Sequence, residues 1–343
     1  MSNVKVFLTG ATGYIGGDAL FALHAKHPEF AYSVLVRDAS KTDQIKAAFP
    51  DIRVVVGELD DFELLKKEAA DADIVVHTAD ASDHVVAANA IATGLTEGHT
   101  ASRPGYWLHT GGTGILTFAD SDRQVYGEYD AKVYNDWEGV DELTHLPAHA
   151  FHRNIDQIVL DTGTKHAEKV KTALLCPPTI YGPGRGPVHQ RSRQVYTLAR
   201  TTLQKRLAPI LGAGKSVWNN VHVHDLSNVF VLLAEAAISK NHADGIWGEN
   251  GYYLVENGEH VWGDISHAVA AEAAKQGYIP EAKVEHFDFK TAIEFGGYES
   301  VSWGMNSRGT AKRAARLLGW KPVGPSLLEE LPGIIKGEYE RLK

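Results

Sequence analysis

The sequence predicts an α/β chain built on a doubly wound parallel sheet. Three observations carry that reading. Short apolar runs alternate with helix-length segments through the first half of the chain. The runs are rich in Val, Ile and Leu and poor in charge, as strands covered on both faces must be. A glycine-spaced turn joins the first run to the first helix.

Taken in order, the predicted strands are residues 4–9, 32–37, 52–56, 73–77, 105–110 and 170–176. Helices are expected over 14–26, 41–49, 61–70, 83–97 and 151–163. From about Thr179 the pattern changes: a Gly/Pro loop, a basic helix over 190–206 and a helix opening at Asp225. A strand near 251–255 and three later helices follow, the last two near 307–318 and 325–342. The expected organisation is a dinucleotide-binding domain over 1–178 and a smaller mixed substrate lobe over 179–343. Part of that lobe, about 215–240, is expected to return to the first domain.

Composition sets bounds. The 343 residues are 44% hydrophobic and 22% charged, an ordinary globular balance. A net charge of -9 gives no phosphate-neutralising term, so no nucleic-acid partner is expected. Cys176 stands alone, which excludes an internal disulfide. The chain opens directly on a strand pattern, has no apolar run of membrane-spanning length and has no Asn-x-Ser/Thr site. The expectation is a soluble cytoplasmic protein with no membrane partner.

The turn Gly10-Ala-Thr12-Gly13-Tyr14-Ile15-Gly16 is the strongest local signal. Gly10 permits the tight turn, Gly13 lets backbone approach a pyrophosphate, and Gly16 lets the helix pack on the sheet. The helix start offers free N–H groups and the positive end of its dipole to the anion. The second strand ends on Arg37, where an NAD-binding fold carries an acidic residue. Arg37 suits a 2′-phosphate, with Lys41 as a second charge, so NADP(H) is expected and NAD is the alternative; Asp38 beside it argues the other way.

With these residues in place the chain resembles the extended short-chain dehydrogenase/reductase superfamily, in its epimerase/dehydratase-like and NmrA-like branches. The resemblance rests on residues 9–16, Leu35-Val-Arg37, Gly57-Glu-Leu-Asp-Asp61 and Asp73-Ile-Val-Val-His77-Thr-Ala79. It continues through Pro177-Pro-Thr-Ile-Tyr-Gly-Pro-Gly184, Val221-His-Val-His-Asp-Leu226 and Leu317-Leu-Gly-Trp-Lys-Pro322. It implies a Rossmann fold, Glu58 and Leu59 at the adenine, and Thr78 and Ala79 at the nicotinamide ribose. It places Pro177, Thr179 and Ile180 along the nicotinamide. It also implies a homodimer through the 83–97 and 151–163 helices.

The resemblance fails at the chemistry. Relatives carry a Ser/Thr and then Tyr-x-x-x-Lys on a helix, the i, i+4 spacing placing both side chains on one face. Here the strand end reads His109-Thr110-Gly111-Gly112-Thr113-Gly114, with a glycine at the usual serine place and Thr110 and Thr113 as the candidates for the hydroxyl. The helix segment Phe151-His152-Arg-Asn-Ile-Asp156 has no tyrosine. Three readings stand: His152 with Asp156 at i+4 as a substitute acid–base pair; a tyrosine from elsewhere (Tyr181, or Tyr126, Tyr129 or Tyr134); or cofactor binding without hydride transfer. The 17 histidines show no His-Glu-x-x-His spacing, and no metal site is expected. Arg185 meets either an anionic substrate or its own turn.

The leading expectation is an NADP(H)-dependent carbonyl-type reductase acting on a small organic metabolite. A non-enzymatic NADP(H)-responsive regulator and an epimerase- or dehydratase-like enzyme are the alternatives. The last is disfavoured because Ser216-Val-Trp218-Asn-Asn220 lacks the Arg that holds a sugar diphosphate in relatives.

Overall fold

Seven parallel strands form the central sheet of the computed structural model, which describes residues 4–343. The chain lays down β1 (Lys5–Thr9), α1 (Tyr14–Lys26), β2 (Ala31–Val36), α2 (Thr42–Ala48) and β3 (Arg53–Val56). It continues with α3 (Phe62–Asp71), β4 (Ile74–His77), α4 (Val85–Gly98) and β5 (Gly105–Thr110). Strands Val170–Cys176 and Tyr252–Leu254 complete the sheet on the far side of β5. The spatial order is Tyr252–Leu254, Val170–Cys176, β5, β4, β1, β2, β3. The winding reverses between β1 and β4, and such a reversal opens a crevice at the carboxyl ends of the strands.

Alternation along the strands explains the two layers. Phe7, Val75 and Trp107 point into one core with residues of α3, α4 and helix Arg153–Lys165. Val6, Leu8, Ile74, Val76, Tyr106 and Leu108 point into the other, against α1 and helix Val223–Ile238. A strand offering both its faces to apolar layers needs apolar residues at every position, hence the uninterrupted runs.

The second half builds a third core around Tyr181, Trp218, Trp262, Trp303 and Leu331. Its sheet pairs Val217–His222 with Thr179–Tyr181 in parallel and with Glu259–Val261 antiparallel. Four α-helices follow residue 260 where three were expected, the addition being Phe289–Gly296, capped by Asp288. The helix expected over 307–318 is only Arg313–Leu318, because Gly309–Thr310 pairs as a strand with Tyr134–Asn135. Among the described residues no helix is long and apolar enough to cross a membrane.

A buried carboxylate, Asp18, is one of the ties between the two halves. Asp18 of α1 is fully buried and takes two bonds from the Arg185 side chain at 2.9 and 2.6 Å. It takes two more from the Arg185 N–H at 2.9 Å and the Ser227 hydroxyl at 2.6 Å. Burial alone would raise its pKa, but these donors outweigh that cost and the net shift is downward. Arg185 is therefore a structural anchor for the loop over α1, which decides between the two roles the sequence left open.

Candidate active site

The crevice at the strand reversal is a cleft of about 1090 Å³ that runs from α1 and β2 to the second half of the chain. At its nucleotide end the chain contributes mostly backbone. Gly10 has φ +86°, a left-handed conformation that favours glycine, and a Cβ there would strike the Thr78 hydroxyl and sit 2.9 Å from the Ala79 N–H. A Cβ on Gly16 would strike the Gly10 carbonyl and the same hydroxyl. Gly13 closes the turn by donating its N–H to the Gly10 carbonyl at 2.8 Å. The first turn of α1 has no side-chain cap and no acidic residue, so its leading N–H groups face the cleft without acceptors. That is an anion cradle, and a dinucleotide pyrophosphate fits it.

Beneath the turn, the Thr9 hydroxyl bonds His77 Nδ1 at 2.7 Å and accepts from the N–H groups of Thr78 and Ala79 at 3.2 and 3.3 Å. Burial drives the His77 pKa down to about 3, so this ring is a neutral strut.

Gly10, Thr12, Gly13, Tyr14, Ile15, Gly16, Arg37, Glu58, Leu59, Thr78, Ala79, Pro177 and Ile180 all line the cleft. Lys41 and Thr179 do not: Lys41 closes the short turn Ala39–Lys41, and Thr179 is buried in the second half's sheet. Asp38 accepts from the Ser40 N–H at 2.9 Å and caps that turn, leaving Arg37 as the charged side chain of β2's end in the cleft.

At the other end the expected pairing changes partner. His152 does not meet Asp156; its Nδ1 lies 2.7 Å from an Asp83 oxygen. The i, i+4 argument fails because His152 is not in the helix. It precedes Arg153–Lys165 as the N-cap, with φ +69° and ψ -8°. A non-glycine residue held there stores about 1–3 kcal/mol of strain. The conformation turns the imidazole into the cleft, where Nε2 lies 3.8 and 3.5 Å from where Cβ atoms on Gly112 and Gly114 would stand. The ring therefore packs at contact distance over the two glycines that follow the strand end. Asp83 is held by a turn in which its N–H donates to the Asp80 carbonyl at 3.1 Å.

Asp156 points the other way, into the core. One oxygen accepts from Tyr252 at 3.4 Å, the other has no partner among the described residues, and burial raises its pKa to about 7. Tyr181 is also buried, donating to the Pro325 carbonyl at 2.8 Å. Tyr126 stacks on Phe289, Tyr129 bonds Arg308 and Tyr134 lies in the short strand; none lines the cleft. Thr110 is buried away from it. Thr113 does line it, with its hydroxyl buried and unpartnered among the described residues. Asp83 escaped the sequence reading because 69 residues separate it from His152.

The rest of this end is aromatic and charge-paired. Phe118, Phe151, Trp218 and Tyr298 line it, with Arg191 bound to Glu338 at 2.7 Å and Arg193 to Glu299 at 2.7 Å. Among the described residues no group of three or more His, Cys, Asp or Glu is placed to hold a metal ion.

Comparison with known proteins agrees with this architecture. The chain is 44% identical over 346 residues to a protein named oxidase ucsJ from Acremonium sp., covering 98% of each. It is 24% identical over 235 residues to dTDP-glucose 4,6-dehydratase of Mycobacterium tuberculosis, covering 65% of this chain and 66% of that one. Among solved structures, DesIV, a dTDP-glucose 4,6-dehydratase from Streptomyces venezuelae with NAD and TYD bound, superposes with a TM-score of 0.67 at 17% identity. That match covers 99% of this chain and 98% of DesIV, and at such identity it speaks for the fold. UDP-glucose 4-epimerase from Thermotoga maritima gives 0.65 at 15%, covering 99% and 100%. The model of the NAD dependent epimerase/dehydratase family matches residues 6–244, and the chain belongs to that family, whose oxidoreductase chemistry runs on a nicotinamide nucleotide.

Proposed function

We propose that this protein is an NADP(H)-dependent oxidoreductase that interconverts a hydroxyl and a carbonyl on a small organic metabolite, with His152 as the proton carrier. The observation that supports it is the His152–Asp83 pair, set in the cleft over Gly112 and Gly114. Asp83 fixes the tautomer that leaves Nε2 free and balances the charge of the imidazolium once a proton arrives. Thr113 offers its hydroxyl to the substrate oxygen. When bound, the nicotinamide supplies the hydride acceptor or donor. In the oxidising direction a bound nicotinamide would take up hydride from the substrate carbon, while the chain's own groups hold the alcohol and receive its proton. The O–H proton goes to His152 Nε2 and C=O forms; reduction is the reverse.

Arg37 in the cleft, with Asp38 turned into its own cap, favours the phosphorylated cofactor. The open, aromatic-lined cleft favours an enzyme over a regulator. The name of the 44% relative, an oxidase, favours the oxidising direction. A sugar-diphosphate substrate is disfavoured because Arg191 and Arg193 already have carboxylate partners.

The test is titration with NADPH and NADH, then turnover of an alcohol and ketone panel by the wild type and His152→Ala. NADPH binding about tenfold tighter or more, and turnover lost in the variant, is the expected result. Bound NADPH that no substrate consumes would return the reading to a regulator. Turnover untouched by His152→Ala would remove His152 from the chemistry.

A further inference from the structure

Two aromatic rings are left in water at the mouth of the cleft. Phe151 is 48% exposed and Tyr298 is 72% exposed. Single exposed apolar residues are ordinary on a protein surface, but these two line the same opening from separate walls. Phe151 precedes His152, and its ring lies 3.6 Å from the imidazole, centroid to centroid. Tyr298 begins the turn Tyr298–Gly304, in the second half of the chain. Beneath them, Phe118, Trp218, Val301 and Met305 continue the apolar wall.

The charged groups at this end already have partners in place. Besides the two arginine pairs, His149 meets Asp122 at 3.0 Å and His152 meets Asp83. An anionic substrate would compete with carboxylates already in position, and a cation with arginines or histidines. An uncharged body competes with neither and gains the contact of the rings, which favour offset stacking on a flat partner.

We infer that the substrate is an uncharged, ring-bearing alcohol or ketone, gripped between Phe151 and Tyr298 with its oxygen at His152. This assignment rests on the reading of His152 given above, but the grip depends on other side chains and is tested separately.

Binding to the NADP⁺-loaded protein is measured by calorimetry for 2-acetylnaphthalene, for its carboxylate-bearing analogue and for dTDP-glucose. The neutral ketone is expected to bind at least about tenfold tighter than either charged compound. Tyr298→Ala and Phe151→Ala should each weaken it by roughly tenfold. Tighter binding of a charged compound, no binding of the neutral ketone, or indifference to both aromatic variants overturns the inference. Binding that follows this pattern without turnover of any panel member supports the grip and sinks the hydroxyl–carbonyl reading instead.

Discussion

The two ends of the cleft are built by different means. The nucleotide end is made of backbone: three glycines, the start of α1 and the ends of β1 and β4, all within about one strand–helix–strand unit and its neighbour. The other end is made of side chains that meet only after folding, with Asp83, Thr113, His152, Trp218 and Tyr298 drawn from five separate stretches. Backbone sites tolerate little change, whereas side-chain sites can be rebuilt one residue at a time. The lost Tyr-x-x-x-Lys and the His–Asp pair in its region fit that division.

The contrast is sharpest at His152. His152→Ala should lower turnover by roughly 10²–10⁴-fold while leaving NADPH affinity unchanged, read by steady-state kinetics and fluorescence titration. A parallel loss of NADPH binding would mean the two ends are not separable. Asp83→Asn keeps the shape but lets the amide donate to Nδ1, inverting the tautomer; a fall on the order of 10²-fold in kcat is expected.

The nucleotide end is probed by Arg37→Ala. Its expected effect is a loss of about 1.5–3 kcal/mol in NADPH binding, with NADH binding little changed. Equal loss for both cofactors would assign Arg37 to the adenosine rather than to the 2′-phosphate.

Two buried aspartates carry the comparison into stability. Asp18 has its pKa lowered by its donors, so its contribution is present above the unfolded-state value near 4 and is lost as pH falls through the folded one. Asp156 is the reverse. Raised to about 7, it favours the folded state fully below the unfolded value, and this is lost as pH rises to neutrality. Asp156→Asn should therefore gain melting temperature relative to the wild type between about pH 4 and 7. Asp18→Ala should cost up to about 3–5 kcal/mol at neutral pH, moderated by the water that Arg185 can still reach. A variant of Asp156 whose relative stability ignores pH would show that this carboxyl finds a partner in the folded chain.

What the sequence made legible follows the same line. The sheet, its six early strands and the glycine turn were readable because each is a local pattern: apolar runs of strand length, and Gly10, Gly13 and Gly16 at one junction. Glu58 and Leu59, which the resemblance assigned to the adenine, line the cleft. His152 was legible as a residue but not with its partner. Spacing on a helix pointed to Asp156, and a left-handed cap residue has no helical neighbours to point to. The aromatic wall was hidden for a plainer reason, since nothing in a sequence says that Phe118, Trp218 and Tyr298 will line one cleft.

The strand Tyr252–Leu254 bears on how this protein can be taken apart. It closes the edge of Val170–Cys176, yet it lies beyond residue 244, where the family match ends. Its Leu254 N–H also reaches Asp136, whose other oxygen holds the Lys312 and Arg313 N–H groups. A gene cut at the apparent family boundary would therefore leave a bare strand edge and three severed bonds at a single carboxylate. The second half of the chain is not a cassette to be swapped between relatives, and chimaeras that aim to change specificity must exchange individual side chains inside an intact chain.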